Sequence, residues 1–101
     1  LARESIVTNP DWSTFYLEGA TGIRYSESVD AAMEFLMSGE HCLAWTAEFW
    51  FRRGCYNCIL GDLEEAKRCV YMAIGGGEEQ YERRAQEDED LKPLRGTWVL
   101  D

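Results

Sequence analysis

Between Phe49 and Ile74 the chain reads FWFRRGCYNCILGDLEEAKRCVYMAI, and its apolar positions keep helical time. Leu63, Ala66, Val70 and Ala73 recur at intervals of three and four, with Ile74 beside them, so they share one helix face. The pattern predicts two helices, Ala44 to Leu60 and Asp62 to Ile74, joined at Gly61-Asp62. Asp62 is placed to cap the second, and Glu64 and Glu65 suit the positive end of its dipole. Lys67 and Arg68 follow those glutamates at three to four positions, which supports a solvated outer face. Gly75-Gly76-Gly77 stops the helix and opens a flexible link.

A second, earlier pattern predicts helices at Trp12 to Tyr25 and Ser28 to Ser38, with the turn at Ser26 to Ser28 and Ser26 as N-cap. Ala31, Ala32, Phe35 and Leu36 form the apolar stripe of the latter, and Gly39 ends it. Gly19 and Gly22 each cost their helix about 1 kcal/mol relative to alanine, so their presence predicts close approach of another helix. Leu1 to Thr8 reads as the end of an earlier helix, broken at Asn9-Pro10-Asp11. Glu40 to Leu43 reads as a linker. Glu78 to Glu89 is polar on most sides and predicts a fifth helix docked by Tyr81 and Ala85. Asp88 to Arg95 then turns through Pro93 with Leu91 and Leu94 inward, and Trp98, Val99 and Leu100 form an apolar tail.

The two patterns are one pattern repeated. A shift of 35 residues lays Phe15 on Trp50, Gly19 on Gly54, Ala31 on Ala66, Phe35 on Val70 and Leu36 on Tyr71. Small residues at the glycines and alanines let paired helices close up, and large ones fill the seams. The same shift lays Ser26 on Gly61, so the first turn lacks the glycine of the second.

An aromatic at Trp50, Gly54 four positions later, a turn glycine, then Glu-Ala and a closing Ala-Ile resemble a tetratricopeptide repeat. The match is strong over Trp50 to Ile74 and weaker over Phe15 to Ser38. Arg53 stands where that family usually has leucine, and Asn57 where it has an aromatic. The segment DEDLKPLR, Asp88 to Arg95, resembles the close of many bacterial tetratricopeptide proteins, so the chain resembles the C-terminal end of such an array. The resemblance implies an all-α fold: tandem antiparallel helical hairpins in a right-handed superhelix, with a C-terminal capping helix. One domain over residues 1–101 is expected: a helix end at 1–9, repeats at 12–39 and 44–75, and the capping helix with its tail at 78–101.

The resemblance also implies a concave face that binds a peptide or protein and is lined by the first helix of each pair. Carried over position by position, that face takes Ser13, Tyr16, Ala20, Ile23 and Arg24 from the first repeat. From the second it takes Glu48, Phe51, Cys55, Cys58 and Ile59, with Arg52 at the rim.

Composition narrows the function. With 19 acidic and 10 basic residues the net charge is −9, which argues against binding nucleic acid through its phosphates. No run approaches the roughly 18 apolar residues of a membrane span. Apolar residues make up 46% of the chain, enough for a packed helical core. The cysteines Cys42, Cys55, Cys58 and Cys69 fall mostly within predicted helices, where free thiols pack as small hydrophobes. They read as reduced, and the expected compartment is the cytoplasm.

Three clusters invite chemistry. Cys55-x-x-Cys58 has the spacing of a metal or redox pair, with Cys69, His41 and Cys42 as the nearest further soft ligands. It lies in mid-helix with no second such pair, so structural cysteines are the better reading, without metal or cofactor. His41 beside Cys42 has no third group to orient it, so no nucleophile is assigned. Arg52-Arg53 with Phe51 and Arg24 can take a peptide carboxylate, or can neutralise nearby glutamates in an acidic protein. The expected function is a non-enzymatic interaction module or scaffold using Tyr16, Ile23, Arg24, Glu48, Phe51, Arg52, Cys55, Cys58 and Ile59. Self-association into a homodimer is the alternative, since about three repeats are usually needed for a stable stack.

Overall fold

The computed structural model describes residues 11–44 and 46–94. The expected helix end at residues 1–9 and the apolar tail at Trp98 to Leu100 lie outside them. The described residues are all-α: α1 (Asp11–Ser26), α2 (Val29–Ser38), the short α3 (Glu40–Leu43), α4 (Ala47–Leu60), α5 (Leu63–Ile74), α6 (Glu79–Glu87) and a 3-10 helix (Glu89–Leu94). They fall into two compact units that divide between Leu43 and Ala44. No helix among the described residues is long and apolar enough to cross a membrane.

In the first unit α1 and α2 pair as a hairpin. The turn closes without glycine, because the amides of Glu27 (2.7 Å) and Ser28 (3.1 Å) both donate to the Ile23 carbonyl. Ser28, not the expected Ser26, is the N-cap of α2: its hydroxyl accepts from the Ala31 amide at 3.1 Å, whereas Ser26 is still part of α1. Ala20, Ala32 and Leu36 are fully buried between the helices. A Cβ built on Gly19 would stand 2.5 Å from Phe35 Cε2, so this glycine makes room for the Phe35 ring of α2. Gly22 has nothing within 4 Å of its would-be Cβ, contrary to the expectation of a close contact there. The segment read as a linker is a helical turn instead. The amides of Cys42 and Leu43 donate to the Gly39 carbonyl at 2.9 and 3.0 Å, and Leu43 is buried.

The second unit repeats the hairpin with α4 and α5. Helix α4 starts three residues later than its apolar pattern predicts. The Thr46 hydroxyl caps the Phe49 amide at 3.3 Å, and Trp50 Nε1 donates to the Ala44 carbonyl at 2.5 Å. Gly61 at φ 94° ends α4 in the left-handed region, where a side chain is strained. The Asp62 amide reaches back to the Asn57 carbonyl at 2.9 Å, and the Asp62 carboxylate caps the Glu65 amide at 3.3 Å. One residue thus serves two helix ends. Gly54 packs under Val70 as Gly19 packs under Phe35: its would-be Cβ stands 2.7 Å from Val70 Cγ2 and 3.1 Å from the Ala66 carbonyl oxygen. The repeat legible in the sequence is therefore the same physical contact made twice.

Arg53 and Asn57, where the resembled family carries apolar residues, are satisfied across this hairpin. Arg53 Nη2 meets Glu65 Oε2 at 3.3 Å, and Asn57 Nδ2 meets the Cys69 sulfur at 3.9 Å. Phe49, Tyr56, Ala66, Cys69, Val70 and Ala73 complete the core. Helix α6 packs on α5, and the 3-10 helix packs on α4. Tyr81 and Ala85 of α6 and Leu91 and Leu94 of the 3-10 helix are buried, as their spacing predicts. Each leucine contributes about 1.5–3 kcal/mol by leaving water.

Candidate functional site

The buried face of α4 gathers the groups with chemistry. Glu48 sits in the first turn of α4, where the helix dipole favours a carboxylate. Its Oε1 accepts from the Tyr81 hydroxyl and from Arg84 Nη1, both at 2.9 Å. Its Oε2 accepts from Arg52 Nε at 3.0 Å and from Arg84 Nη2 at 3.3 Å. Arg84 thus grips the carboxylate with both arms, and its guanidinium lies 4.4 Å over the Phe51 ring. The Tyr81 ring lies 5.6 Å from the same ring. Burial pushes the Glu48 carboxyl upward, but the bonds from Arg84 and Tyr81, the Arg84 charge and the Arg52 bond outweigh it and hold the pKa at about 2. Burial, then the bond to Glu48 and its charge, lift the Tyr81 phenol to about 12.

One and two turns beyond Phe51 come Cys55 and Cys58, each only 4% exposed. The Cys55 sulfur and one carboxylate oxygen each of Asp88 and Asp90 lie within 4.8 Å of one another, the one such ligand group of three among the described residues. The Asp90 amide donates to Asp88 Oδ1 at 2.8 Å, which ties these two residues into one turn. Burial first, then the Asp90 charge, pushes the Cys58 thiol above its ordinary value.

These positions correct part of the expected surface. Phe51, Cys55 and Cys58 were expected on an open concave face, but α6 and the 3-10 helix cover that face, leaving Phe51 1% exposed. The apolar character that marks a groove residue also makes it the natural seat for the chain's own capping helix. Arg52 and Arg53 are held by Glu48 and Glu65, the neutralising role rather than an open carboxylate cradle. Ile59, at 41% exposure, is the exposed member of the α4 set.

In the first unit, Tyr16 is half-buried with Phe35 at 5.5 Å and His41 at 6.2 Å from its ring centre, and it packs over Gly39. Ala20 is fully buried and offers no surface. Ile23 and Arg24 are half-buried, and the Arg24 guanidinium lies 5.0 Å over the Tyr25 ring. Trp12 and Phe15 are more than half exposed and stack edge to face at 5.9 Å. Cys69, weighed as a partner for Cys55 and Cys58, instead faces Asn57 and Glu65, and its thiol is lifted to about 11, chiefly by burial. A separate hollow of about 390 Å³ in the second unit is lined by Ala44, Ala47, Trp50, Tyr71, Met72, Gly75 and Gly76.

Tyr81, Arg84, Asp88 and Asp90 were not legible as site residues. They meet α4 across more than 30 positions of chain, and the periodic signal of the segment, at Tyr81, Ala85, Leu91 and Leu94, marks burial rather than a site. The described residues define an all-α protein built of helical hairpins with a docked C-terminal helix. Compared with models of protein families, with curated proteins and with solved structures, the chain finds no match.

Proposed function

We propose that the protein is a non-catalytic interaction module of tetratricopeptide type, binding a helical segment of a partner on the α4 face, with the first helix of the preceding hairpin as a candidate face of its own. One observation carries this most directly. The α4 face already has side chains of another helix seated on it: Tyr81 and Arg84 of α6. A face that accepts an aromatic and an arginine three positions apart on one helix has the chemistry to accept them from another. Gly75-Gly76-Gly77 before α6, with Gly77 at φ 92°, supplies the joint about which α6 can leave. The repeated glycine contacts at Gly19 and Gly54 support a hairpin array of the resembled kind. The face in the second unit comprises Glu48, Phe51, Arg52, Cys55, Cys58 and Ile59; Tyr16, Ile23 and Arg24 form the candidate face of the first unit, and the cytoplasm is the proposed compartment.

The test is capture of partners from lysate of the source cell. Ile59→Glu and Arg24→Glu alter positions that do not fill the core, so both variants stay helical by circular dichroism. Loss of a captured protein with either variant supports the α4 and α1 surfaces, and Arg84→Glu, which frees α6, increases capture. Equal capture by all four proteins removes the assignment. A second reading, self-association, is favoured by the exposed Trp12, Phe15 and Tyr25 on α1. Sedimentation of the chain alone, with Phe15→Glu as the comparison, decides it.

A further inference from the structure

We infer that α6 is an internal competitor for the α4 face, and that the partner is a basic helix presenting an aromatic residue three positions before an arginine. This rests on the interaction function proposed above and adds what the partner must carry and what it must displace. Three of the four hydrogen bonds to Glu48 come from Tyr81 and Arg84, and the fourth from Arg52. The same two side chains lie on Phe51, at 5.6 and 4.4 Å, and leave it 1% exposed. No second helix reaches Glu48 and Phe51 while they remain there. Binding on this face and docking of α6 therefore exclude each other.

Helix α6 is the element placed to yield. Its nine residues fall short of the roughly 12–15 that an isolated helix needs. Glu78 makes no side-chain cap bond, whereas Ser28, Thr46 and Asp62 cap α2, α4 and α5. Of its residues only Tyr81 and Ala85 are buried. Gly75-Gly76-Gly77 precede it and Asp88 follows in extended backbone at ψ 130°, so α6 can leave without unwinding α5. Charge sets the partner's composition. Glu79, Glu82 and Glu87 outnumber Arg83 and Arg84 in α6, and Asp88, Glu89 and Asp90 follow. That acidic segment lies on a chain of charge −9, so its docking is opposed by general repulsion. A basic helix that brings an aromatic to Phe51 and a guanidinium to Glu48 repeats the contacts and replaces the repulsion by attraction.

The test uses the full chain and a labelled lysine–alanine helix of about 17 residues with tyrosine and arginine three positions apart. A control peptide has alanine and lysine at those two places and so the same charge. Binding is read by fluorescence anisotropy. A closed face lowers the apparent affinity by the fraction of chains that are open, so Arg84→Ala is expected to tighten binding by about tenfold or more. The control peptide gains nothing, and Glu48→Gln added to Arg84→Ala removes the gain. Hydrogen exchange checks that Arg84→Ala, or Tyr81→Ala/Arg84→Ala, frees the amides of α6 while α5 stays protected. Equal binding by wild type and the freed variants, an equal gain with the control peptide, or α6 protection unchanged in both variants overturns the inference. So does a dimer of Arg84→Ala in sedimentation that excludes the peptide, since the occupant is then the α6 of a second copy. Peptide binding that ignores α6 sinks this competition alone, whereas lysate capture that ignores Ile59 and Arg24 sinks the function proposed above.

Discussion

Glu48 is the residue on which the docked helix turns. Four hydrogen bonds from three side chains converge on it, two of those side chains from α6. Its pKa falls from 4.5 to about 2, so the unfolded chain takes up the proton first as the medium is acidified. The stabilisation is therefore complete above pH 4.5 and is lost as pH falls towards 2. Partial solvent access reduces it to on the order of 2 kcal/mol. Acid unfolding of wild type is expected to show this loss, and Glu48→Gln to be less stable at neutral pH with a flatter acid limb, as read by helicity against pH. Tyr81 acts at the other end of the scale. Its phenol rises from 10.0 to about 12, so its contribution is intact below pH 10 and disappears as pH climbs through 12. Tyr81→Phe is expected to abolish this alkaline dependence in chemical-denaturant melts.

At the scale of the element, glycines separate into contacts and vacancies. Gly54→Ala drives a Cβ into Val70 and the Ala66 backbone, and is expected to lower stability by about 1–3 kcal/mol. Gly19→Ala meets the edge of the half-buried Phe35 ring, which can swing, so its loss is smaller. Gly22→Ala meets nothing and is expected to stabilise α1 by up to about 1 kcal/mol, because alanine restricts the unfolded chain and favours helix. Denaturant midpoints of the three variants rank them directly. From the sequence the three glycines look alike. What separates them is whether a side chain from the partner helix arrives opposite, and that depends on where the helices cross.

The molecule as a whole carries a charge of −9. General repulsion among carboxylates is therefore expected to oppose compaction. Raising salt from about 0.01 M to about 1 M shortens the screening length from about 30 Å to about 3 Å and is expected to raise Tm. A fall in Tm would mean that ion pairs dominate instead.

Helix identity and most helix ends were legible in the chain itself. Apolar spacing of three and four marks α2 and α5, Gly61-Asp62 marks the turn between α4 and α5, and Tyr81, Ala85, Leu91 and Leu94 mark the docked face of the C-terminal segment. These are local effects: backbone conformation, capping and the amphipathic stripe act within a few residues. The choice of Ser28 over Ser26 as cap, and the start of α4 after Thr46 rather than at Ala44, were settled by where a hydroxyl met an amide. The candidate site was legible only in halves. Glu48, Phe51, Cys55 and Cys58 stand out on one helix, yet periodicity says only that a face is apolar, not what will cover it. Tertiary structure decided that α6 lies on Phe51, that Arg84 and Tyr81 share Glu48, and that Asp88 and Asp90 arrive beside Cys55. Those contacts join segments more than 30 residues apart, and their energy exists only after the intervening chain has folded back.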